Sequence, residues 1–169
     1  MIYGILTSKQ HAVKLINFMN IYEPDIKYIV STSKYAPQEF EYDIGVCYCY
    51  NFLIDVDELG NENKVYYNYH PASLSNSGAS YGDWGNYARG LYDLQTGKLK
   101  EWGVSLHCID RGVDTGTVLR VLRVPLMSIP IDSQELGDAS HYFLLQLFKK
   151  TIHALQFKPK TKEELDKLC

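Results

Sequence analysis

Short apolar runs and amphipathic stretches alternate along the first half of the chain. Residues 2–6 have the pattern of an apolar strand, and Ser8 is a suitable N-cap for a helix whose apolar positions continue to Met19. The run from Ile44 to Tyr50 is apolar at nearly every position, which is typical of parallel strands buried on both faces. Further strands are predicted over residues 26–30 and 64–69. The strand–helix–strand order predicts an α/β fold.

The second half of the chain predicts an antiparallel hairpin and a long helix. Residues 102–109 alternate between apolar and polar side chains, and residues 117–125 are the expected partner strand across a glycine-containing loop. Ser133 is expected to cap a final helix with an apolar stripe that ends at Leu155. A shorter helix is predicted over residues 84–95. Together these elements predict a mixed, mostly parallel sheet flanked by helices.

The length and charge of the chain indicate one globular domain. Its 169 residues suffice for a single core, and we expect a domain over residues 1–157 followed by a charged tail over residues 158–169. A net charge of −3 gives no basic surface for a nucleic acid. No apolar run reaches the roughly 20 residues that a membrane span needs. The sequence therefore predicts a protein that binds neither nucleic acid nor membrane.

The cysteines and isolated histidines suggest no metal or disulfide. The chain has four cysteines, namely Cys47, Cys49, Cys108 and Cys169. Because no CxxC pair occurs, we expect no metal site and free thiols in a reducing cytoplasm. The start of the chain lacks the basic residues and apolar run of a signal peptide, which agrees with a cytoplasmic location. His11, His141 and His153 fall on helix patterns and are interpreted as structural or surface residues.

The candidate chemistry lies where predicted strands end. Asn68 and His70 are two residues apart, so an extended backbone points both side chains to the same face. Pro71 then changes the chain direction. Asp114 lies in a glycine-containing loop between the two strands of the predicted hairpin. An amide, an imidazole and a carboxylate at strand ends are suited to acyl transfer.

Four segments resemble the folate-dependent formyltransferases, a family that includes glycinamide ribonucleotide, methionyl-tRNA and sugar N-formyltransferases. They are Asn68-Tyr69-His70, the loop Pro71-Ala72-Ser73-Leu74, the strand Gly103-Val104-Ser105-Leu106-His107 and the loop Gly112-Val113-Asp114-Thr115-Gly116. The resemblance extends from Asp43 to Leu126. It implies a single Rossmann-like α/β domain of formyltransferase type.

The resemblance implies transfer of a formyl group from N10-formyltetrahydrofolate to a primary amine. In this interpretation the amine attacks the formyl carbon, and the Asn68 amide donates a hydrogen bond to the resulting oxyanion. His70 either stabilises that oxyanion as an imidazolium or carries the amine proton. Asp114 orients His70 and stabilises its charged form.

The resemblance also implies where the two substrates bind. The pterin ring is expected to lie against two loops, with contacts from Tyr50, Asn51, Phe52, Leu53, Ile109, Asp110, Gly112 and Val113. The acceptor is expected to contact Ser73 in the loop after His70. Contacts from Tyr81, Trp84 and Tyr87 are also expected, because the stretch from residue 80 to residue 101 is longer than usual for the family.

Departures from the family pattern bear on the identity of the acceptor. Residues 4–9 lack the glycine-rich loop that would cradle the phosphate of glycinamide ribonucleotide. The net charge and the length of the chain do not suit tRNA. By exclusion, the expected acceptor is a small-molecule amine, and the amino group of a nucleotide-linked sugar is favoured. The compact chain also allows a homodimer.

Alternatives remain open for the residues and for the function. His70 could be a strand-end histidine without a catalytic role, and Asp114 could be an ordinary turn residue. His107 is more simply interpreted as a satisfied core or supporting histidine, and Trp84 and Tyr87 as packing residues. The chain could instead hydrolyse formyl-folate, or bind folate or a nucleotide without catalysis.

Overall fold

A computed structural model describes residues 1–61, 63–72 and 86–169 of the chain. Its strands are β1 (Ile2–Thr7), β2 (Lys27–Ser31), β3 (Ile44–Tyr48), β4 (Val65–His70), β5 (Trp102–Cys108) and β6 (Val118–Val124). Its helices are α1 (Lys9–Tyr22), α2 (Ala36–Glu39), α3 (Val56–Leu59), α4 (Asn86–Gln95), α5 (Ser133–Thr151) and α6 (Lys162–Leu168), with a 3-10 helix at Ile152–Phe157. None of these described helices combines the length and the apolar character of a membrane span.

The described strands form one mixed sheet in the order β2-β1-β3-β4-β5-β6. The pairs β1–β2, β1–β3 and β3–β4 are parallel, whereas β5 runs antiparallel to both β4 and β6. β5 and β6 are the predicted hairpin, and the loop between them carries Asp114. The prediction of a mixed, mostly parallel sheet flanked by helices is confirmed.

Strand β3 is buried at every position, as its continuous apolar sequence predicts. Its glycine makes room for a neighbouring ring, because a Cβ added at Gly45 would lie only 2.1 Å from the nearest ring atom of Tyr66. Tyr66 in turn packs edge to face against Tyr42. Gly45 is therefore needed for close packing between β3 and β4.

Helix α5 joins several elements of the core through one aromatic side chain. Phe148 is fully buried. Its ring contacts Phe18 of α1, Tyr48 of β3 and Tyr69 of β4, with ring centroids 5.5, 5.6 and 5.0 Å apart. Tilted and edge-to-face arrangements of this kind are favourable for aromatic pairs. The cluster fixes α1 and α5 on the strands whose ends carry the candidate chemistry.

The start of α5 differs in detail from the sequence-based expectation. Asp132, rather than Ser133, is the N-cap, because its carboxylate accepts a hydrogen bond from the backbone N–H of Glu135. Ser133 is the first helical residue. Aspartate and serine are both favoured N-caps, and the two are adjacent, so the sequence pattern alone did not distinguish them. Ser8 is the N-cap of α1 as predicted, without a side-chain capping bond.

The segment 158–169 packs against the sheet. Leu165 of α6 is fully buried, and Thr161 caps this helix by accepting a hydrogen bond from the backbone N–H of Glu164. The Tyr67 hydroxyl of β4 donates to the carbonyl of Pro159 over 2.9 Å. The predicted division into a domain over residues 1–157 and a charged tail stays a prediction.

We expect Phe148→Ala to destabilise the protein far more than the same substitution at Phe157. Phe148 is fully buried among aromatic rings, whereas Phe157 is 63% exposed. Removing a buried phenylalanine costs about 3–5 kcal/mol, since the cavity does not fully collapse. Equilibrium unfolding in denaturant measures both changes. Equal losses for the two variants would contradict the assignment of Phe148 to the core.

Candidate active site

The pairing of β4 with β5 places three polar side chains around one point. Asn68 and His70 lie at the end of β4, and β5 sets His107 directly opposite Asn68. The side-chain nitrogen of Asn68 lies 3.1 Å from Nε2 of His107. His70 and His107 are buried, and Asn68 is half-buried.

Asp114 completes the cluster from the loop between β5 and β6. One carboxylate oxygen, Oδ2, lies 3.3 Å from Nε2 of His70. The other, Oδ1, lies 3.5 Å from Nε2 of His107 and 3.4 Å from the Asn68 side-chain nitrogen. Asn68, His70 and Asp114, three residues singled out in the sequence, are thus brought into contact. His107 belongs to the same cluster, because it contacts both Asn68 and Asp114.

The histidines hold Asp114 in its ionised form. Burial alone would raise the pKa of this carboxyl group, but hydrogen bonds from His107 and His70 and the charges of both rings outweigh burial. The pKa of Asp114 therefore lies well below its ordinary value of 3.8. At neutral pH the cluster contains a carboxylate that is only 12% exposed.

The remaining ring nitrogens fix the orientation of the two imidazoles. His107 Nδ1 lies 2.8 Å from the carbonyl of Cys108, so an Nδ1–H can donate to it. His70 Nδ1 lies 3.2 Å from the backbone nitrogen of Ala72 and 3.3 Å from the Ala72 carbonyl oxygen, so it can accept a hydrogen bond from the first or donate one to the second, according to its tautomer. The Ser105 hydroxyl donates to the Ala72 carbonyl over 2.9 Å and so holds the turn after β4.

The backbone of the Asp114 loop is strained at one residue and tightly packed at another. Asp114 has a φ of 53°, in the left-handed region that aspartate tolerates better than most residues. A Cβ added at Gly116 would lie 1.8 Å from the carbonyl oxygen of Cys108, so only glycine fits there. Asp110 braces the loop, because its carboxylate accepts hydrogen bonds from the Gly112 N–H and the Thr115 hydroxyl.

A cavity of about 590 Å³ opens next to the cluster, a volume suited to a small-molecule ligand. Besides Asn68, His70, His107 and Asp114, it is lined by most residues that were predicted to bind the cofactor, namely Tyr50, Asn51, Phe52, Leu53, Ile109, Gly112 and Val113. Asp110 is not among the described lining residues, and its carboxylate faces its own loop.

Of the residues predicted to contact the acceptor, Tyr87 is in the described part of the chain. It lies in α4, lines the cavity, and stacks at a tilt on Trp102 with centroids 6.3 Å apart. Ser73, Tyr81 and Trp84 fall outside the residues that the structure describes. Their predicted role stays a prediction.

Five lining residues on the wall formed by α1, β3 and α5 were not predicted from the sequence. They are Ser8, Gln10, Cys47, Cys49 and His141. His141 was interpreted as structural or surface, because its helical spacing does not reveal which face α5 turns to the cavity. Cys49 was assigned to a strand that in fact ends at Tyr48, and its φ of 50° turns it out of the strand direction.

Comparison with known proteins identifies the fold. No protein-family model matches the sequence, and no curated protein matches it. Among solved structures, a sugar N-formyltransferase from Shewanella sp FDAARGOS_354 matches 95% of this chain and 72% of its own, at 14% identity and a TM-score of 0.67. The chain has the formyltransferase fold.

Two further solved structures share this fold. An N-formyltransferase from Helicobacter canadensis, in complex with folinic acid and dTDP-3-aminofucose, matches at 16% identity and a TM-score of 0.63; the match covers 93% of this chain and 64% of the Helicobacter chain. A phosphoribosylglycinamide formyltransferase from Streptococcus pneumoniae TIGR4 matches at 18% identity and a TM-score of 0.58, over 90% of this chain and 97% of its own. Identities this low establish the common fold and leave the acceptor to be argued from the site.

The depressed pKa of Asp114 predicts how its contribution to stability depends on pH. A carboxyl group whose pKa is lowered on folding stabilises the protein above its unfolded pKa, and this contribution is lost as the pH falls below that value. We therefore expect Asp114→Asn to be less stable than the wild type near neutral pH, and the difference to shrink below about pH 4. Denaturant unfolding over an acidic pH series measures it. A difference that grows toward low pH would contradict the ionised pairing.

A second prediction concerns the fit of the Asp114 loop. We expect Gly116→Ala to lower the free energy of unfolding by about 1–3 kcal/mol, because the new Cβ overlaps a backbone carbonyl. Gly60→Ala is the matched control, since the nearest described neighbour of its new Cβ, the carbonyl oxygen of Asp57, would lie 3.4 Å away. The control should change stability by less than about 0.5 kcal/mol. Equal effects at the two positions would refute the close approach at Gly116.

Proposed function

We propose that this protein transfers a formyl group from N10-formyltetrahydrofolate to a primary amine of a small molecule. The observation that carries the proposal is the Asn68–His70–Asp114 cluster, which opens into a ligand-sized cavity at the strand ends of a formyltransferase fold. Strand ends of this kind are the usual ligand site in open α/β sheets.

Asn68 is suited to stabilise the charge that develops during the reaction. Attack of the amine on the formyl carbon makes a tetrahedral intermediate with a negatively charged oxygen. The Asn68 amide has two N–H groups, one close to His107 and one in a longer, 3.4 Å contact with Asp114. The longer contact is the weaker one, so this N–H is the one that turns to the oxyanion. Such a donor is typically worth about 10²–10³ in rate.

His70 and Asp114 are suited to manage the proton. The attacking amine must lose a proton, and N10 of the folate must gain one when its bond to the formyl carbon breaks. His70 Nε2 and Asp114 Oδ2 are 3.3 Å apart and both line the cavity, so a proton can pass through this pair. A carboxylate of lowered pKa stabilises the imidazolium that forms when His70 carries the proton.

The cavity walls fit a flat, partly apolar donor. Phe52, Leu53 and Val113 line the cavity and remain 43%, 77% and 60% exposed, which leaves apolar surface for a ring to cover. This arrangement supports N10-formyltetrahydrofolate as the donor, as does folinic acid in the Helicobacter enzyme.

The acceptor that we favour is the amino group of a nucleotide-linked sugar. The Helicobacter structure with the same fold holds an amino sugar on dTDP. Residues 4–9 of this chain have one glycine, which speaks against the phosphate-cradling loop of the purine enzyme, and the net charge of −3 speaks against tRNA. Tyr87 is the described residue best placed to contact such an acceptor. The cytoplasmic location and a homodimer stay predictions.

Turnover tests the proposal directly. We expect the protein to release tetrahydrofolate when it is mixed with N10-formyltetrahydrofolate and dTDP- or UDP-linked amino sugars. Asn68→Ala should lower kcat by about 10²–10³, and His70→Ala and Asp114→Ala by about 10²–10⁴. Formation of the formamide product, followed by mass spectrometry, confirms the acceptor.

Exposed residues of the same types provide matched controls. Asn17→Ala on α1 and His153→Ala in the 3-10 helix should leave kcat unchanged, since both positions are exposed and lie away from the cavity lining. Full activity of a folded Asn68, His70 or Asp114 variant would overturn the catalytic assignment. Release of tetrahydrofolate without any amine would identify a hydrolase, and folate binding without turnover on any amine would identify a binding module.

A further inference from the structure

Three potential metal ligands from different elements converge beside the cavity, and two of them line it. They are His11 of α1, Cys49 after β3 and His141 of α5, and their ligand atoms all lie within 4.8 Å of one another. The Cys49 sulfur lies 3.5 Å from Nδ1 of His141, and the two imidazole centroids are 4.5 Å apart. The formyl-transfer proposal uses none of the three.

The spacing of the sulfur and the nitrogen fits a tetrahedral metal ion. Zinc binds sulfur at about 2.3 Å and imidazole nitrogen at about 2.1 Å, so two such ligands on one tetrahedral ion lie about 3.6 Å apart. The observed 3.5 Å between Cys49 and His141 matches this edge. The distances from these two atoms to the His11 ligand atom are at most 4.8 Å, so coordination by all three residues requires His11 to move closer.

The protonation states of the two histidines also suit a metal. Burial, together with the neighbouring His141 and Lys14, lowers the pKa of His11 to about 4. Burial also lowers the pKa of His141, with Lys14 adding to the effect and Asp138 opposing it. Both rings are therefore neutral at pH 7, which is the form that binds metals. Their low affinity for protons leaves the nitrogen lone pairs available.

The surroundings hold the three side chains in place. Cys49 has a left-handed backbone, φ 50°, a conformation that costs a non-glycine residue energy and is common at functional sites. The Gln10 side-chain nitrogen lies 3.1 Å from Nε2 of His11 and contacts that ring from the preceding residue. The Tyr48 ring packs edge to face against His11, with centroids 5.7 Å apart.

We propose that His11, Cys49 and His141 bind one divalent ion of the zinc class, with a fourth coordination position that faces the cavity. A thiolate with two imidazoles is a ligand set that selects zinc over magnesium or calcium. Burial raises the pKa of the Cys49 thiol to about 12, so binding must displace its proton. The balance is one metal ion bound through a new metal–sulfur bond and one proton released to solvent. Cys49 and His141 line the cavity, so a water molecule or a donor atom of a bound ligand can fill the fourth position.

The experiment uses the full chain, freed of metal, and Co²⁺ as the probe. We expect one Co²⁺ per chain, a near-ultraviolet thiolate-to-cobalt charge-transfer band, and release of one proton measured in a weakly buffered solution. Added Zn²⁺ should abolish the band by displacement. A folded wild-type protein that gives no such band, or binds Co²⁺ without a defined stoichiometry, would overturn the site.

Variants assign the ligands. Cys49→Ser should eliminate the charge-transfer band, and His11→Gln and His141→Gln should weaken Co²⁺ binding by more than the roughly 10–100-fold typical of losing a supporting group. The two histidine variants keep the test valid if Cys49→Ser does not fold, which circular dichroism will show. Cys169→Ser and His153→Ala are the matched controls at exposed positions and should bind as the wild type does. A band that survives Cys49→Ser, or disappears in Cys169→Ser, would refute the assignment.

Discussion

The antiparallel register between β4 and β5 is the constraint on which the candidate active site depends. It sets Asn68 opposite His107 and His70 opposite Ser105, at the boundary between the parallel and the antiparallel part of the sheet. A shift of one residue would turn Asn68 and His70 to the other face of the sheet. Buried side chains of both strands oppose such a shift, because Tyr69 and Leu106, which face each other, are fully buried. The hydrophobic core thus determines the position of the polar cluster.

Asp114 contacts the polar side chains that this register brings together. Its carboxylate is mostly buried, and a buried carboxylate stays ionised only if hydrogen bonds and positive charge compensate for the lost hydration. The two histidines and the Asn68 amide supply these contacts. The same contacts orient the amide and the imidazole. The contacts that stabilise the charge of Asp114 are therefore the same contacts that align the candidate catalytic groups.

Patterns within short segments predicted the elements and much of the site. Strand periodicity and the spacing of Asn68 and His70 depend only on neighbouring residues. The local backbone conformation is therefore enough to predict which side chains share a face. The contact with Asp114 rested on a family resemblance, since 46 residues separate it from Asn68. The grouping of His11, Cys49 and His141 could not be predicted. It requires the packing angle of α5 and the turn at Cys49, and both are set by tertiary contacts such as those of Phe148.

If the cavity receives a formyl donor, as proposed, it must not present a competing nucleophile, and Cys49 lines this cavity. A thiolate there could attack the formyl carbon before the amine does, and the reactivity of cysteine depends on its thiolate fraction. Burial raises the pKa of Cys49 to about 12, so the side chain is almost entirely a thiol at neutral pH. On the proposed function, the environment of Cys49 therefore protects the formyl donor in the metal-free protein. The nucleophile that remains is the amine, whose proton we propose is accepted by the His70–Asp114 pair.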